Sequence, residues 1–395
     1  MPPGRSVILN RARRIERLPA SGIAVVGAGV TGLSVALHLA ERGAGPVRVY
    51  ERSGVGAGAS GVQPGGVRLQ WGTEVNCRMA LESLGFYREV RERLEPSVDP
   101  GFRACGYLFL AHSRRVLDRL AANVALQNRL GVPSRMLEPE AVPELAPGVD
   151  AAGLAGAAFC SEDGYFDRPQ SVVEAFAEAA VRAGVELEHD EVVSLEQLGT
   201  AWKLGLRREG SAEAGHVVAA TGVDAPELLR PLGVELPIEK ESRWLFYSEP
   251  VRERLLEPLV VSAERRFAAK QLGDGRVLAS DLGARGDRSR EEAWREHVRD
   301  VIRELLPILE YVSFRLLVEG IYDVTPDHQA VLGAVPGLDG LWLAAGFSGH
   351  GFMMAPAVGR GLAAAIAGEP PDEFLRTLSI ERFARGELVP EPAVV

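Results

Sequence analysis

A chain of 395 residues with net charge −10, 46% hydrophobic and 25% charged, is globular in composition and too long for one compact core, so two domains are expected. The negative balance argues against nucleic acid or an anionic membrane surface as partner, and no apolar run reaches the roughly 18 residues needed to cross a bilayer. Cys77, Cys105 and Cys160 are too few and too scattered for a disulfide framework or a zinc cluster, and fit a reducing, cytoplasmic setting.

Residues 1–20 hold Arg5, Arg11, Arg13, Arg14 and Arg17 with no apolar run after them, so a secretory signal is not expected. A disordered arm and an upstream start codon are the two readings. From Ile23 to Val26 an apolar run of strand type feeds into Gly27-Ala28-Gly29-Val30-Thr31-Gly32, and a helix follows until Gly43. In a GxGxxG turn the first glycine allows the tight bend, the second lets backbone approach a pyrophosphate, and the third lets helix press on strand. The free N–H groups at the helix start hold negative phosphates. A second apolar run, Val47 to Tyr50, ends in Glu51-Arg52, and 51 − 32 places Glu51 19 residues after the last glycine. That spacing suits a carboxylate on an adenosine ribose. GxGxxG alone is a weak signal; strand, helix, second strand and acid together point to a dinucleotide site. The alternative is a βαβ unit without a ligand.

The stretch 53–66, SGVGAGASGVQPGG, is glycine-rich enough for backbone to lie against a flat ligand. Helices are expected over 74–94 and 116–130, with a strand over 101–110 between them. Prolines at 133, 139, 143 and 147 punctuate a connector. A strand at 157–160, a helix at 170–183, short strands near 184–187 and 192–193, and a buried strand from His216 to Gly222 follow. Residues 236–319 alternate polar and apolar side chains, with a hairpin turn at Gly273-Asp274-Gly275 and a helix over 290–305. Leu341 to Ala345 reads as a strand running into Gly346-Phe347-Ser348-Gly349-His350-Gly351-Phe352, and 353–367 as a helix. This second glycine-rich strand-to-helix turn again presents backbone N–H groups to an electron-rich ligand.

The expected fold is α/β: a Rossmann-type nucleotide-binding domain from 21–95, 157–235 and 325–395, plus an antiparallel β-sheet substrate domain with helices from 96–156 and 236–324.

Three stretches, GAGVTGLSVALHLAERG, GASGVQPGGVRLQWG and TPDHQAVLGAVPGLDGLWLAAGFSGHGFMMAPAVGRGLA, resemble the FAD-dependent D-amino-acid oxidase superfamily. The branch is that of monomeric sarcosine oxidase, glycine oxidase and dye-linked proline dehydrogenases. The likeness runs in order from Ser21 to about Arg385. It implies FAD held by Gly27, Ala28, Gly29, Val30, Thr31, Gly32, Glu51 and Arg52. It further implies contacts from Ala59, Ser60, Gln63, Pro64, Gly65, Gly66, Val193, Thr221 and Gly222. Gly346, Gly349, His350, Gly351, Phe352 and Met353 complete the set beside the ring.

On the substrate side the resemblance implies Arg68, Tyr322, His350, Phe267 and Met353. Arg68 falls where sarcosine oxidase pairs an arginine with the substrate carboxylate, a task suited to a planar charged fork; a surface arginine is the other reading. Tyr322 matches an active-site tyrosine, or else a half-buried strand residue. His350 matches a histidine near the flavin, or else a structural one. Gly320 stands where monomeric sarcosine oxidase attaches its flavin through cysteine, so non-covalent FAD is expected.

Two family lysines are replaced, one by Met353 and the one linked to oxygen by a residue near Leu278. Phe267 replaces the family tyrosine. If Phe267 faces the substrate, strand alternation turns Lys270 away, and a protonated His350 is the alternative source of a positive charge. These departures predict electron transfer to an acceptor other than oxygen. The implied activity is oxidation of the C–N bond of a small amino acid or N-methyl amino acid by hydride transfer to FAD. The acceptor is oxygen, a quinone or a partner subunit. The alternatives are the flavin subunit of a heteromeric amine dehydrogenase and a non-catalytic FAD-binding protein.

Overall fold

The computed structural model describes residues 22–393 apart from Glu209; the arginine-rich stretch 1–20 lies outside them. A six-stranded sheet runs in the order Val331–Ala334, Leu341–Ala345, His216–Ala219, Ile23–Val26, Val47–Tyr50, Glu186–Glu188. All neighbours are parallel except the first two. The strand Ile23–Val26 is buried throughout, as a continuous apolar run in a parallel sheet requires.

Alternation sorts its side chains. Ile23 and Val25 pack into a core with the helices Val30–Glu41, Glu74–Arg88, Pro169–Arg182 and Gly351–Ile366. Ala24 and Val26 face the opposite core, which contains Trp202, Leu204 and Leu206. Those three belong to a three-stranded antiparallel sheet, Val192–Leu198, Ala201–Leu206 and Gly210–Ala214, most of which the sequence reading missed. Helix Val30–Glu41 lies against Gly351–Ile366 at Gly359, where a Cβ would come within 2.1 Å of Ser34 Oγ.

An eight-stranded sheet runs Phe314–Val324, Glu239–Ser248, Val277–Asp281, Phe267–Gln271, Leu259–Ser262, Tyr107–Ala111, Gly156–Cys160, Arg135–Leu137. Its pairs are antiparallel except Leu259–Ser262 with Tyr107–Ala111. The sequence division at 157 groups the strand Gly156–Cys160 with the FAD-binding segments, yet it pairs into this sheet. One face of the sheet carries Leu108, Phe246, Val260, Phe267 and Val277 into a core. There they meet Trp294, Val298 and Ile302 of the amphipathic helix Glu291–Leu305. The other face, with Tyr107, Val261, Ala268 and Leu278, looks toward the six-stranded sheet.

The predicted strand over 101–110 is two strands, Phe102–Arg103 and Tyr107–Ala111, broken at Gly106, which sits at φ +83°. The expected helix 74–94 is interrupted after Arg88. Among the described residues no helix is long and apolar enough to cross a membrane.

Candidate active site

The glycine turn after Ile23–Val26 is built from close approaches. Gly27 sits at φ +107°, and a Cβ there would come within 2.5 Å of the Ala220 carbonyl oxygen. A Cβ on Gly32 would reach the Gly27 oxygen at 2.1 Å, so a side chain would hold the helix off the turn. The helix lacks a side-chain cap at Gly29; the Val30 N–H donates instead to Ser60 Oγ at 3.1 Å, tying the glycine-rich loop to the turn. The Glu51 carboxylate accepts from the N–H groups of Ala28 at 2.9 Å, Ser53 at 2.7 Å and Gly54 at 3.3 Å. A carboxylate offers about four acceptor sites, so capacity remains for a ribose hydroxyl.

These groups open onto a cavity of about 800 Å³ between the two large sheets. Gly27, Gly29, Val30, Thr31, Gly32, Glu51, Arg52, Ala59, Ser60, Gln63, Pro64, Gly66, Val193, Thr221 and Gly222 line it. Gly349, His350, Gly351, Phe352, Met353, Arg68 and Tyr322 line it as well. One observation tests whether a dinucleotide belongs here. The turn that opens onto the cavity is a cradle that a Cβ at Gly27 or Gly32 would disrupt, and Glu51 beside it keeps acceptor capacity, so the residues fit the pyrophosphate and ribose of FAD.

Four expected residues do not line the cavity. Ala28 turns its side chain into the core and contributes its N–H to Glu51. Gly65, at φ +79°, lies against the Phe166 carbonyl. Gly346, at φ +71°, is packed on Thr325 and Val331. Phe267 is fully buried behind the eight-stranded sheet.

The last of these reverses the expected facing of its strand. Because Phe267 and Ala269 fill the core, Lys270 points into the cavity. Its ammonium donates to the Pro64 carbonyl and lies 4.0 Å from the centre of the Tyr165 ring. Only 3% of the residue is exposed, and burial lowers its pKa to about 7.

Arg68 is not a surface arginine; it is 1% exposed. Its guanidinium stacks 3.8 Å over Trp71. One terminal nitrogen donates to the Gln70 carbonyl and the other to the Ala393 carbonyl at 2.7 Å. His350 meets Trp71 edge-on, 4.6 Å between ring centres. Burial, with Arg68, His328 and Arg243 around it, holds its pKa well below the usual histidine range. Burial therefore favours the neutral form of His350, against the alternative in which it supplies the missing positive charge.

Tyr322 packs against both backbone and a cation. A Cβ on Gly349, at φ +89°, would lie 2.2 Å from its ring, and the Arg243 guanidinium lies 5.2 Å from the ring centre. Beside it, burial raises the pKa of Asp323 to about 6. Asp323 Oδ2 accepts the Gly346 N–H at 2.8 Å, which fixes the glycine turn. Helix Gly351–Ile366 starts there without a side-chain cap, which leaves its first N–H groups without a side-chain acceptor, and its first residues, Gly351 to Met353, line the cavity. Arg243 and Tyr107 are lining residues that the sequence reading missed. Their signal was available: each alternates with core residues, Arg243 with Trp244 and Phe246, Tyr107 with Leu108.

The family model described as FAD dependent oxidoreductase (DAO) matches residues 22–365. The chain is 28% identical over 411 residues to the FAD-dependent oxidoreductase domain-containing protein 1 of Xenopus laevis, covering 92% of this chain and 81% of that protein. Among solved structures, L-proline dehydrogenase from P. horikoshii is 28% identical with a TM-score of 0.86, covering 93% of this chain and 99% of that one. Glycine oxidase from Geobacillus kaustophilus is 25% identical with a TM-score of 0.79, covering 91% and 98%. With nearly the whole described chain matched, and with a cavity whose walls suit the cofactor, this protein belongs to the DAO family of FAD dependent oxidoreductases.

Proposed function

We propose that the enzyme oxidises the C–N bond of a small amino acid or N-methyl amino acid, with the carboxylate end of the substrate held by the arginine-rich end of the cavity. The observation that carries this reading is the cluster of Arg68, Arg243, Tyr322 and neutral His350 beside the Gly349 turn. FAD supplies the two-electron acceptor. The substrate loses a hydride from the carbon bonded to nitrogen and a proton from that nitrogen, and becomes an imine. The chain's part is to bind, orient and exclude water. The two arginines attract an anionic group, the apolar floor of Leu245, Leu259, Val261 and Leu278 accepts a short aliphatic body, and burial strengthens each polar contact. L-proline dehydrogenase and glycine oxidase, to which the chain is similar, are named for amino acid substrates, which supports the same class. The segments 21–95, 157–235 and 325–395 would hold FAD, and 96–156 and 236–324 the substrate.

The test is anaerobic bleaching of the bound flavin by a panel of sarcosine, glycine, proline and D-amino acids. At least one is expected to bleach it. A flavin that stays oxidised with every amino acid overturns the proposal.

A further inference from the structure

Two arginines reach the same end of the cavity, and their donors are committed differently. Both terminal nitrogens of Arg68 donate to main-chain carbonyls, of Gln70 and Ala393, and one face of its guanidinium is covered by Trp71. Arg243 comes from the neighbouring wall, on the strand Glu239–Ser248, directly across the ladder from Gly320 and two residues from the partner of Tyr322. One of its terminal nitrogens donates to the Leu282 carbonyl at 2.9 Å. The other has no hydrogen bond among the described residues.

Its charge is also incompletely answered. Glu241 is the nearby carboxylate, and it serves two arginines: Arg243 Nε approaches Glu241 Oε1 to 2.5 Å, and Arg285 donates to Glu241 Oε2 at 3.2 Å. The closer contact lacks hydrogen-bond alignment, since Arg243 Nε and Glu241 Oε1 are both buried without a hydrogen-bond partner. Two guanidinium groups on one carboxylate leave a surplus positive charge, and the Arg243 side chain is only 16% exposed. A buried cation with open donors facing a cavity is costly unless an anion joins it.

We infer that Arg243 is the residue that anchors the substrate carboxylate, against the face of Tyr322, and that Arg68 is a positioning residue that holds the wall. This rests on the amino acid reading above. The planar fork suits a carboxylate better than an ammonium would. Gly349 also lies against the Tyr322 ring, so turn, ring and arginine are held together and the anchored group has a defined place relative to the start of helix Gly351–Ile366. Selection for an anionic substrate end then lies on the Glu239–Ser248 strand.

The experiment uses the FAD-loaded enzyme and acetate and propionate, carboxylates with no oxidisable amine, with binding followed by the change in flavin absorbance. Arg243→Gln is expected to weaken binding by about ten- to a hundred-fold, as loss of a charge-assisted pair does. Arg243→Lys should recover only part of it. In steady state KM for an amino acid should rise far more than kcat falls. Undiminished carboxylate affinity in Arg243→Gln, with the loss appearing in Arg68→Gln, overturns the assignment. A wild-type enzyme that amino acids bleach but Arg243→Gln leaves unchanged fails this inference alone. A wild-type enzyme that no amino acid bleaches fails the functional reading, and this inference with it. Flavin content and near-ultraviolet dichroism of each variant report whether it has folded, and Arg243→Lys serves where Arg243→Gln does not fold.

Discussion

Lys270 and Leu278 are direct partners across the antiparallel ladder of their hairpin, and both line the cavity. The position where the family resemblance sets a lysine linked to oxygen is thus apolar, but a lysine stands immediately beside it on the neighbouring strand. The expectation of slow oxygen use assumed a cavity without such a cation, and that premise does not hold. A fixed positive charge assists the build-up of negative charge on reacting oxygen. Lys270→Met is therefore expected to slow reoxidation of the reduced enzyme by oxygen at least about ten-fold, with reoxidation by a dye little changed. The pH dependence has a definite sign. Burial sets the Lys270 pKa at about 7, so the charge is present below that pH and is lost as pH rises through it. Oxygen reactivity should fall across that window in the wild type and stay flat in Lys270→Met. Equal oxygen rates in the two proteins, measured by stopped flow, remove Lys270 from the process.

What was legible in the sequence is local. The GxGxxG turn and Glu51 were readable because turn chemistry and a short βαβ spacing are written in consecutive residues, and the Glu51–Ala28 bond is the outcome. The facing of the Phe267–Gln271 strand was not readable. Alternation says that Phe267 and Lys270 point oppositely, but which side is core depends on the helix Glu291–Leu305, some twenty residues further on, whose Trp294 and Val298 join Phe267. The commitments of Arg68 were hidden for a similar reason, because its acceptor at Ala393 lies 325 residues away. The missed small sheet was different: Trp202, Leu204 and Leu206 alternate with Lys203 and Gly205, a period-2 signal that was present and passed over.

Arg68 should behave as a clamp on the chain's last described segment. Its bond to Ala393 works beside Glu391, whose carboxylate accepts from Gly72 N–H, Thr73 Oγ1 and Asn76 Nδ2. Arg68→Ala frees two carbonyls and empties a space beside Trp71, so stability should fall by about 2 kcal/mol or more. Residues after Glu387 should become accessible to protease. Urea denaturation at unchanged midpoint, with the segment still protected, shows that the clamp is not needed.

Gly349→Ala is expected to be costly in two separable ways. A φ of +89° strains any residue with a side chain, and the new Cβ would meet the Tyr322 ring at 2.2 Å. The backbone part is of order 1–3 kcal/mol. The collision is relieved if Tyr322 is also shortened, so Gly349→Ala and Tyr322→Ala together should destabilise less than the sum of the two alone. A strictly additive double-mutant cycle in urea denies the contact.

Acid precipitation of the wild-type enzyme should leave a colourless pellet and a yellow supernatant. Covalent attachment needs a nucleophilic side chain at the cavity wall, and none of the lining residues is a cysteine. His350 is the histidine that lines it, and it is packed edge-on against Trp71. At Gly320, where the family resemblance sets an attaching cysteine, a Cβ would meet nothing closer than Val62 Cγ2 at 3.9 Å. That position has room. Gly320→Cys is accordingly expected to fold and to bind flavin, because the strand Phe314–Val324 is extended there and needs no glycine conformation. A Gly320→Cys pellet that retains colour while the wild-type pellet does not places the strand beside the flavin ring. Colour kept in the wild-type pellet means that a side chain other than cysteine already makes the bond, and His350 is then the residue to replace first.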